Sequence, residues 1–214
     1  MTAERFFDAH QRATIEAAMA RIIPTDDLPG AREAGSIDFL DRYLAGIGSI
    51  YARPDGSGFE VLAGKRAEAW QRRIDAIRAR YVAGVVTLDR LSRASFGSEF
   101  ALLETSQQDR ILTEVERSEG GSTGSGEGQD GDAPPLQQTK AEIDLGFFGL
   151  LCLHTRQGFY ADPIYGGNRD RVGWQTIGFP GPTSLAEVHS GRYSTLAWFA
   201  ESQPEHDAGA GDEA

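Results

Sequence analysis

Between residues 67 and 81 the apolar side chains recur at three- and four-residue intervals, as Ala67, Trp70, Ile74, Ile77 and Tyr81, while Arg72, Arg73, Asp75, Arg78 and Arg80 fall on the other sides. That spacing matches the 3.6-residue turn of an α-helix and gives it one face to bury. The same period governs most of the chain. Asp8 is placed to cap a helix whose Ile15, Ala18, Met19, Ile22 and Ile23 share a face, and Pro24 ends it because the residue before a proline avoids helical angles. Ser36 is expected to cap a second helix with Ile37, Leu40, Tyr43, Leu44 and Ile47 inside, leaving through Gly46 and Gly48. Ser106 with Asp109 is expected to open a helix carrying Ile111, Leu112 and Val115. Thr139 with Glu142 reads as a capping box before Ile143, Phe147, Leu150, Leu151 and His154, with Gly158 as terminator. No apolar–polar alternation runs longer than four residues, so the expected fold is mainly α, a small helical bundle.

Composition narrows the class. A chain of 214 residues with 40% apolar and 25% charged residues is of ordinary globular make-up and long enough for one domain. Its longest apolar stretch, residues 145–153, is broken by Gly146 and Gly149 and falls well short of the ~18 residues a membrane-spanning helix needs. The start has neither a basic region followed by an apolar core nor a twin arginine, so a cytoplasmic location is expected, with co-export beside a partner into the periplasm as the alternative. A single cysteine, Cys152, excludes an internal disulfide and a cysteine-cluster metal site.

The net charge of −11 is concentrated. Residues 118–138 hold Glu119, Glu127, Asp130 and Asp132, and residues 201–214 hold Glu201, Glu205, Asp207, Asp212 and Glu213, neither stretch having a Lys or Arg. The remainder is close to neutral, which argues against nucleic acid as a partner. Residues 118–138 are rich in Gly, Ser and acid and read as a disordered linker, and 201–214 as a disordered tail. The expected organisation is an N-terminal helical part at 1–117, the linker, a second part of the same domain at 139–200, and the tail. Gly124, Gly126 and Gly128 within the linker lack the strand and helix that a phosphate-binding loop requires.

Two irregular segments carry the remaining information. Residues 159–182 combine glycines and aromatics, so an ordered loop is expected: Gly166, Gly167 and Asn168 can hold positive φ, and Asp162 before Pro163 favours a turn. Tyr160, Tyr165, Trp174 and Phe179 would then either close the helical core or anchor a partner. The second segment, residues 23–35, is turn chemistry between the first two helices.

Taken together, I-I-P-T-D-D-L-P-G-A-R-E-A-G at Ile22–Gly35 with F-L-D-R-Y-L at Phe39–Leu44, then G-F-Y-A-D-P-I-Y-G-G-N-R-D-R-V-G-W at Gly158–Trp174 and I-G-F-P-G at Ile177–Gly181, resemble the gluconate 2-dehydrogenase subunit 3 family. The resemblance covers roughly residues 5 to 182 apart from the linker. It implies a non-catalytic small subunit, without a cofactor of its own, that supports folding and flavin loading of an FAD-dependent large subunit of the glucose-methanol-choline type. In many such complexes a cytochrome c subunit takes the electrons; the absence here of the twin-arginine start common among relatives leaves that partner and the export role open. The partner-binding residues it implies are Asp26, Pro29, Gly30, Arg32, Gly35, Tyr160, Asp162, Pro163, Tyr165, Gly166, Gly167, Asn168, Trp174 and Phe179.

The residues themselves offer no catalytic set. Asp26 fits a turn acid capping backbone amides, Asp38 and Asp41 lie at helical spacing, His154 falls on an apolar stripe, and Cys152 sits between leucines with no identifiable base. Two readings remain: an interaction subunit, or a stand-alone carbohydrate-binding module or enzyme in which Tyr160, Tyr165 and Trp174 stack on a sugar while Asp162, Asn168 and Asp170 bind its hydroxyls.

Overall fold

The computed structural model describes residues 5–120, 142–179, 181, 182 and 187. Six α-helices make up the described chain: α1 Ala9–Ile22, α2 Ser36–Ala45, α3 Gly64–Phe96, α4 Thr105–Ser118, α5 Phe147–Tyr160 and the short α6 Val172–Thr176. Among the described residues there is no β-strand, only a single antiparallel bridge between Ala52 and Phe59. The expected helical architecture is therefore what forms. The linker, apart from residues 118–120, and the tail lie outside the described residues, as does Thr139.

The α1 reading holds. Asp8 accepts the Gln11 N–H at 2.8 Å and Gln11 returns a bond to the Asp8 N–H, a complete capping box. Helix α3 is longer than its clearest period: beyond Tyr81 the buried stripe continues through Gly84, Val85 and Leu88, and 33 residues give a rod of about 50 Å. Helices α1, α2, α4 and α5 pack against it and against one another, so the segments on either side of the linker share one core built on Ile15, Met19, Leu40, Ile77, Tyr81, Ile111 and Leu150.

Four terminus assignments are corrected. Helix α2 is preceded by Gly35 at φ 65°, and Ser36 is its first residue with a hydroxyl buried and unpartnered. A left-handed residue is needed for the chain to enter α2 from the Pro29–Gly35 turn, and glycine takes that conformation without the Cβ penalty. Helix α4 starts two residues early, where Gln107 Oε1 accepts the Glu104 N–H at 3.1 Å; Ser106 lies within the first turn and Asp109 pairs with Arg21 at 2.7 Å. Glu142 does not cap α5. The N-terminal amides of Phe147 and Phe148 are each taken at 3.0 Å by the Glu119 carboxylate, which supplies negative charge at the helix N-terminus from the end of α4.

Gly158 is not a terminator but an interior residue of α5. A Cβ there would lie 2.8 Å from Ser36 Cα and from its carbonyl oxygen, so its absence sets how closely α5 approaches α2, the most extensive helix pair in the molecule. Gly158→Ala should accordingly lower unfolding free energy by about 1–3 kcal/mol through overpacking. Gly149→Ala, in the same helix but 3.4 Å from its nearest neighbour Leu145, should raise it by up to about 1 kcal/mol. Urea unfolding followed by circular dichroism measures both.

Candidate functional site

The two irregular segments that stand far apart in sequence meet in space. The Arg169 N–H donates to the Ala34 carbonyl at 2.8 Å, and the Arg169 guanidinium reaches Asp38 at 2.6 Å beside Gly35. Asp38 also takes Arg12 at 2.5 Å, and Asp41 takes the other Arg12 nitrogen at 2.8 Å and the N–H groups of Phe6 and Phe7. Two acids that the sequence shows only at helical spacing, Asp38 and Asp41, thus hold α1, α2 and the loop together.

Each expected partner-binding residue has a definite local task. Asp26 accepts the Leu28 N–H at 2.9 Å and is exposed, as are Pro29 and Arg32. Gly30 is buried where a Cβ would come within 2.6 Å of the Ile23 carbonyl oxygen. Asp162 caps the turn Pro163–Tyr165 by accepting the Ile164 N–H at 2.9 Å. Of the three residues expected at positive φ, Gly166 (102°) and Asn168 (46°) adopt it, whereas Gly167 is needed for close approach, since a Cβ there would collide with the Gly158 carbonyl. Asp170 and Arg171 also have positive φ, which the sequence does not announce.

Asn168 is fully buried. Its side chain donates to the Ala161 carbonyl at 3.0 Å and accepts the Gly173 N–H at 2.9 Å, which fixes the loop and leaves the amide engaged within the fold rather than turned to a sugar. Trp174 is likewise buried; its indole N–H donates to the Tyr160 carbonyl at 2.7 Å and its ring meets Phe179 edge-on at 5.4 Å. These two aromatics close the core of their own loop. Tyr160 and Tyr165 take a different direction and line an open groove.

That groove has a volume of about 870 Å³. Helix α2 contributes Phe39 and Tyr43, the following turn Ile50 and Tyr51, α3 Trp70 and Arg73, and α5 Leu153, Arg156, Gln157 and Tyr160. Its aromatics brace one another. Phe39 and Tyr43 stack at 6.2 Å, Trp70 meets Tyr51 edge-on at 5.7 Å and donates its N–H to the Tyr51 oxygen at 3.2 Å. Arg73 lies 4.8 Å over Trp70 and Arg66 lies 4.3 Å over Tyr51, in cation–π geometry. Tyr165 Oη accepts the Ala52 N–H, pinning the far end.

The floor is a buried ionic centre. Glu142 accepts from Arg73 Nε at 2.6 Å, from Tyr43 Oη at 3.1 Å and from His154 Nε2 at 2.6 Å. On its other side the His154 ring brings Nδ1 to 2.8 Å from the buried Tyr81 hydroxyl. Burial would raise the Glu142 carboxyl, but the hydrogen bonds and charges of His154 and Arg73 outweigh it and hold the group below the usual glutamate range. Burial, reinforced by the Glu142 charge, pushes the Tyr43 and Tyr81 hydroxyls well above the usual tyrosine value. Burial also raises the Cys152 thiol, which makes it a poorer nucleophile. Among the described residues no three His, Cys, Asp or Glu side chains converge as a metal site. A carboxylate with this many donors is suited to holding a surface in shape, and the aromatic faces around it are suited to binding.

Sequence reasoning placed Tyr43 and Trp70 on buried stripes and did not connect either with Arg73, Glu142 or Arg156. The three-residue step from Trp70 to Arg73 was the available signal; their convergence with residues 142–165 is a product of the fold.

Because Glu142 has a depressed folded-state pKa, its contribution to stability is present above the ordinary carboxylate value of 4.5 and fades as pH falls through the lower folded value. Glu142→Gln should therefore cost about 2 kcal/mol at neutral pH, as expected for lost hydrogen bonds to a charged group. The gap between variant and wild type should narrow below pH 4, which denaturant titrations at several pH values measure.

Comparison with known proteins bears on the whole of this region. Neither the curated proteins nor the solved structures contain a match to the chain. Residues 9–181 match the family model described as Gluconate 2-dehydrogenase subunit 3, a span that takes in both motif segments, the groove and its ionic floor, and the chain belongs to that family.

Proposed function

We propose that this chain is the non-catalytic small subunit of a gluconate 2-dehydrogenase-like complex, binding and stabilising an FAD-containing catalytic subunit of the glucose-methanol-choline type. The observation that carries the reading is the groove: a broad aromatic concavity whose Glu142 and Arg73 are spent on each other, next to loops in which Asn168 is spent on the backbone. Binding surface is offered. FAD would reside on the partner, and a cytochrome c subunit would be a further member on the electron-acceptor side. Location would follow that of the catalytic subunit.

The mechanism is mass action. A subunit that binds the folded, flavin-loaded state and not the unfolded chain stabilises it by about 2.7 kcal/mol when present at a hundredfold excess over its dissociation constant. The buried Trp174 acts at one remove, by holding the backbone of residues 158–179 in shape so that Tyr160 and Tyr165 face the groove.

Co-expression with a glucose-methanol-choline type flavoprotein of the same genome, affinity capture through this chain and an absorbance spectrum form the test. A yellow co-eluate that reduces a dye with a sugar or sugar acid is the expected result. Trp174→Ala, which removes a buried indole worth about 3–5 kcal/mol, should reduce the flavin captured while the Michaelis constant of whatever complex assembles stays unchanged. A chain that elutes alone, folded, and binds a sugar unaided would overturn the subunit reading in favour of a carbohydrate-binding module.

A further inference from the structure

Beneath the groove, the ionic floor continues into the core as a chain of groups that subunit binding does not use. Tyr81 is fully buried, with Phe7 and Phe147 edge-on to its ring at 5.8 and 5.7 Å. Among the described residues its hydroxyl has one hydrogen-bond partner, His154 Nδ1 at 2.8 Å. The other His154 nitrogen meets Glu142 at 2.6 Å, and that carboxylate is tied in turn to Arg73. Ring contacts run alongside: Tyr81 stacks on His154 at 5.7 Å, and His154 meets Tyr43, which lines the groove, at 5.5 Å.

A phenol that loses an electron in apolar surroundings leaves a costly buried cation unless its proton departs in the same step. Here a base stands on the hydroxyl, and a carboxylate stands behind the base. Burial, reinforced by the Glu142 charge, holds the Tyr81 proton in place until the electron goes.

We propose that Tyr81 is a redox-active tyrosine, giving one electron to an oxygen-derived radical that reaches the groove and passing its hydroxyl proton to His154 in the same step. The Tyr81 O–H bond breaks, the proton joins His154 Nδ1, and Tyr81 becomes a neutral phenoxyl radical. The electron leaves by way of the Tyr43 ring and reduces the oxidant, so that a carbonate radical becomes carbonate. The positive charge placed on the His154 ring falls beside the Glu142 carboxylate, which offsets its desolvation. Tyr43 has Glu142 as its own proton acceptor, but a carboxylate is a weaker base than imidazole, so the phenoxyl state settles at Tyr81. The site is a sink that draws an oxidising equivalent off the open aromatics of the groove.

The test uses the full chain and tris(bipyridine)ruthenium(III), generated by light with pentaamminechlorocobalt(III) as sacrificial acceptor, and reads the frozen product by electron paramagnetic resonance. Wild type should give a tyrosyl radical signal, and Tyr81→Phe, which keeps the ring, should lose it. His154→Gln should slow radical formation by about a hundredfold, the low end of what a positioned proton acceptor contributes. In deuterium oxide the wild type should form the radical more slowly, because the proton moves with the electron. Near-ultraviolet circular dichroism checks that each variant is folded, and the deuterium oxide comparison needs no variant.

A signal of unchanged shape and yield in Tyr81→Phe places the radical on another residue and overturns the assignment. Equal rates in water and deuterium oxide, or in wild type and folded His154→Gln, overturn the proton transfer. With carbonate radical made by pulse radiolysis as oxidant, wild type should again end with the Tyr81 signal; oxidation that stops at Trp70 or Tyr160 overturns the sink. Each of these results leaves the subunit reading untouched, since that rests on flavin capture.

Discussion

A carboxylate removed from water is tolerated only if its charge is answered, and the Glu142 carboxylate is answered from three helices at once: Tyr43 on α2, Arg73 on α3 and His154 on α5. The positions of those helices are therefore coupled through one group. The same residues carry the coupling outward. Arg73 also lies over Trp70, Trp70 donates to Tyr51, and Tyr51 is covered by Arg66, so the wall of the groove is built on its floor. Inward, His154 passes to the Tyr81 hydroxyl at the centre of the apolar core. The interaction supports conformational specificity more than bulk stability, since desolvation offsets much of what the ion pair contributes.

The loop after α5 depends on a second arrangement. Asn168, Asp170 and Arg171 hold left-handed backbone angles, which side chains other than glycine adopt at some cost. They do so because the neighbourhood compels it: Asn168 closes two hydrogen bonds inside the loop, its N–H donates to the Gly158 carbonyl, and Arg169 is tied to Ala34 and Asp38. Glycines at 158, 167 and 173 allow backbone to lie against backbone at each crossing. The result is a rigid mount that turns Trp174 inward and presents Tyr160 and Tyr165.

Much of this was legible in the residues. Three-and-four spacing is a local property, so the helices and most of their inner faces could be read directly, as could the family from its two motif segments. The termini were harder, because a cap is chosen by where the chain must go next. Ser36 has good capping chemistry, but the route out of the preceding turn needs a left-handed residue, and Gly35 supplies it. Glu142 looked like a helix cap for its position before an apolar run and instead became the ionic floor, while the cap came from Glu119, a residue expected in the linker that instead closes the end of α4. Gly158 looked like a stop because glycine usually is one; here it is a contact point for Ser36. The groove was the least readable part, since its residues come from five separate stretches and none is unusual in its own.

The Glu119 bond to the start of α5 has a consequence for how this chain can be altered. Since α4 and α5 are clasped directly through Glu119 and the Phe147 and Phe148 amides, the two ends of the intervening segment are held near each other by atoms of the folded body. Closing a loop between fixed ends grows only logarithmically more costly, by about 0.6 kcal/mol for each doubling of length. A chain that leaves the folded body after residue 120 and rejoins it at Glu142 can therefore be lengthened, or carry a reporter domain, while Glu142 and the helices on either side stay in register.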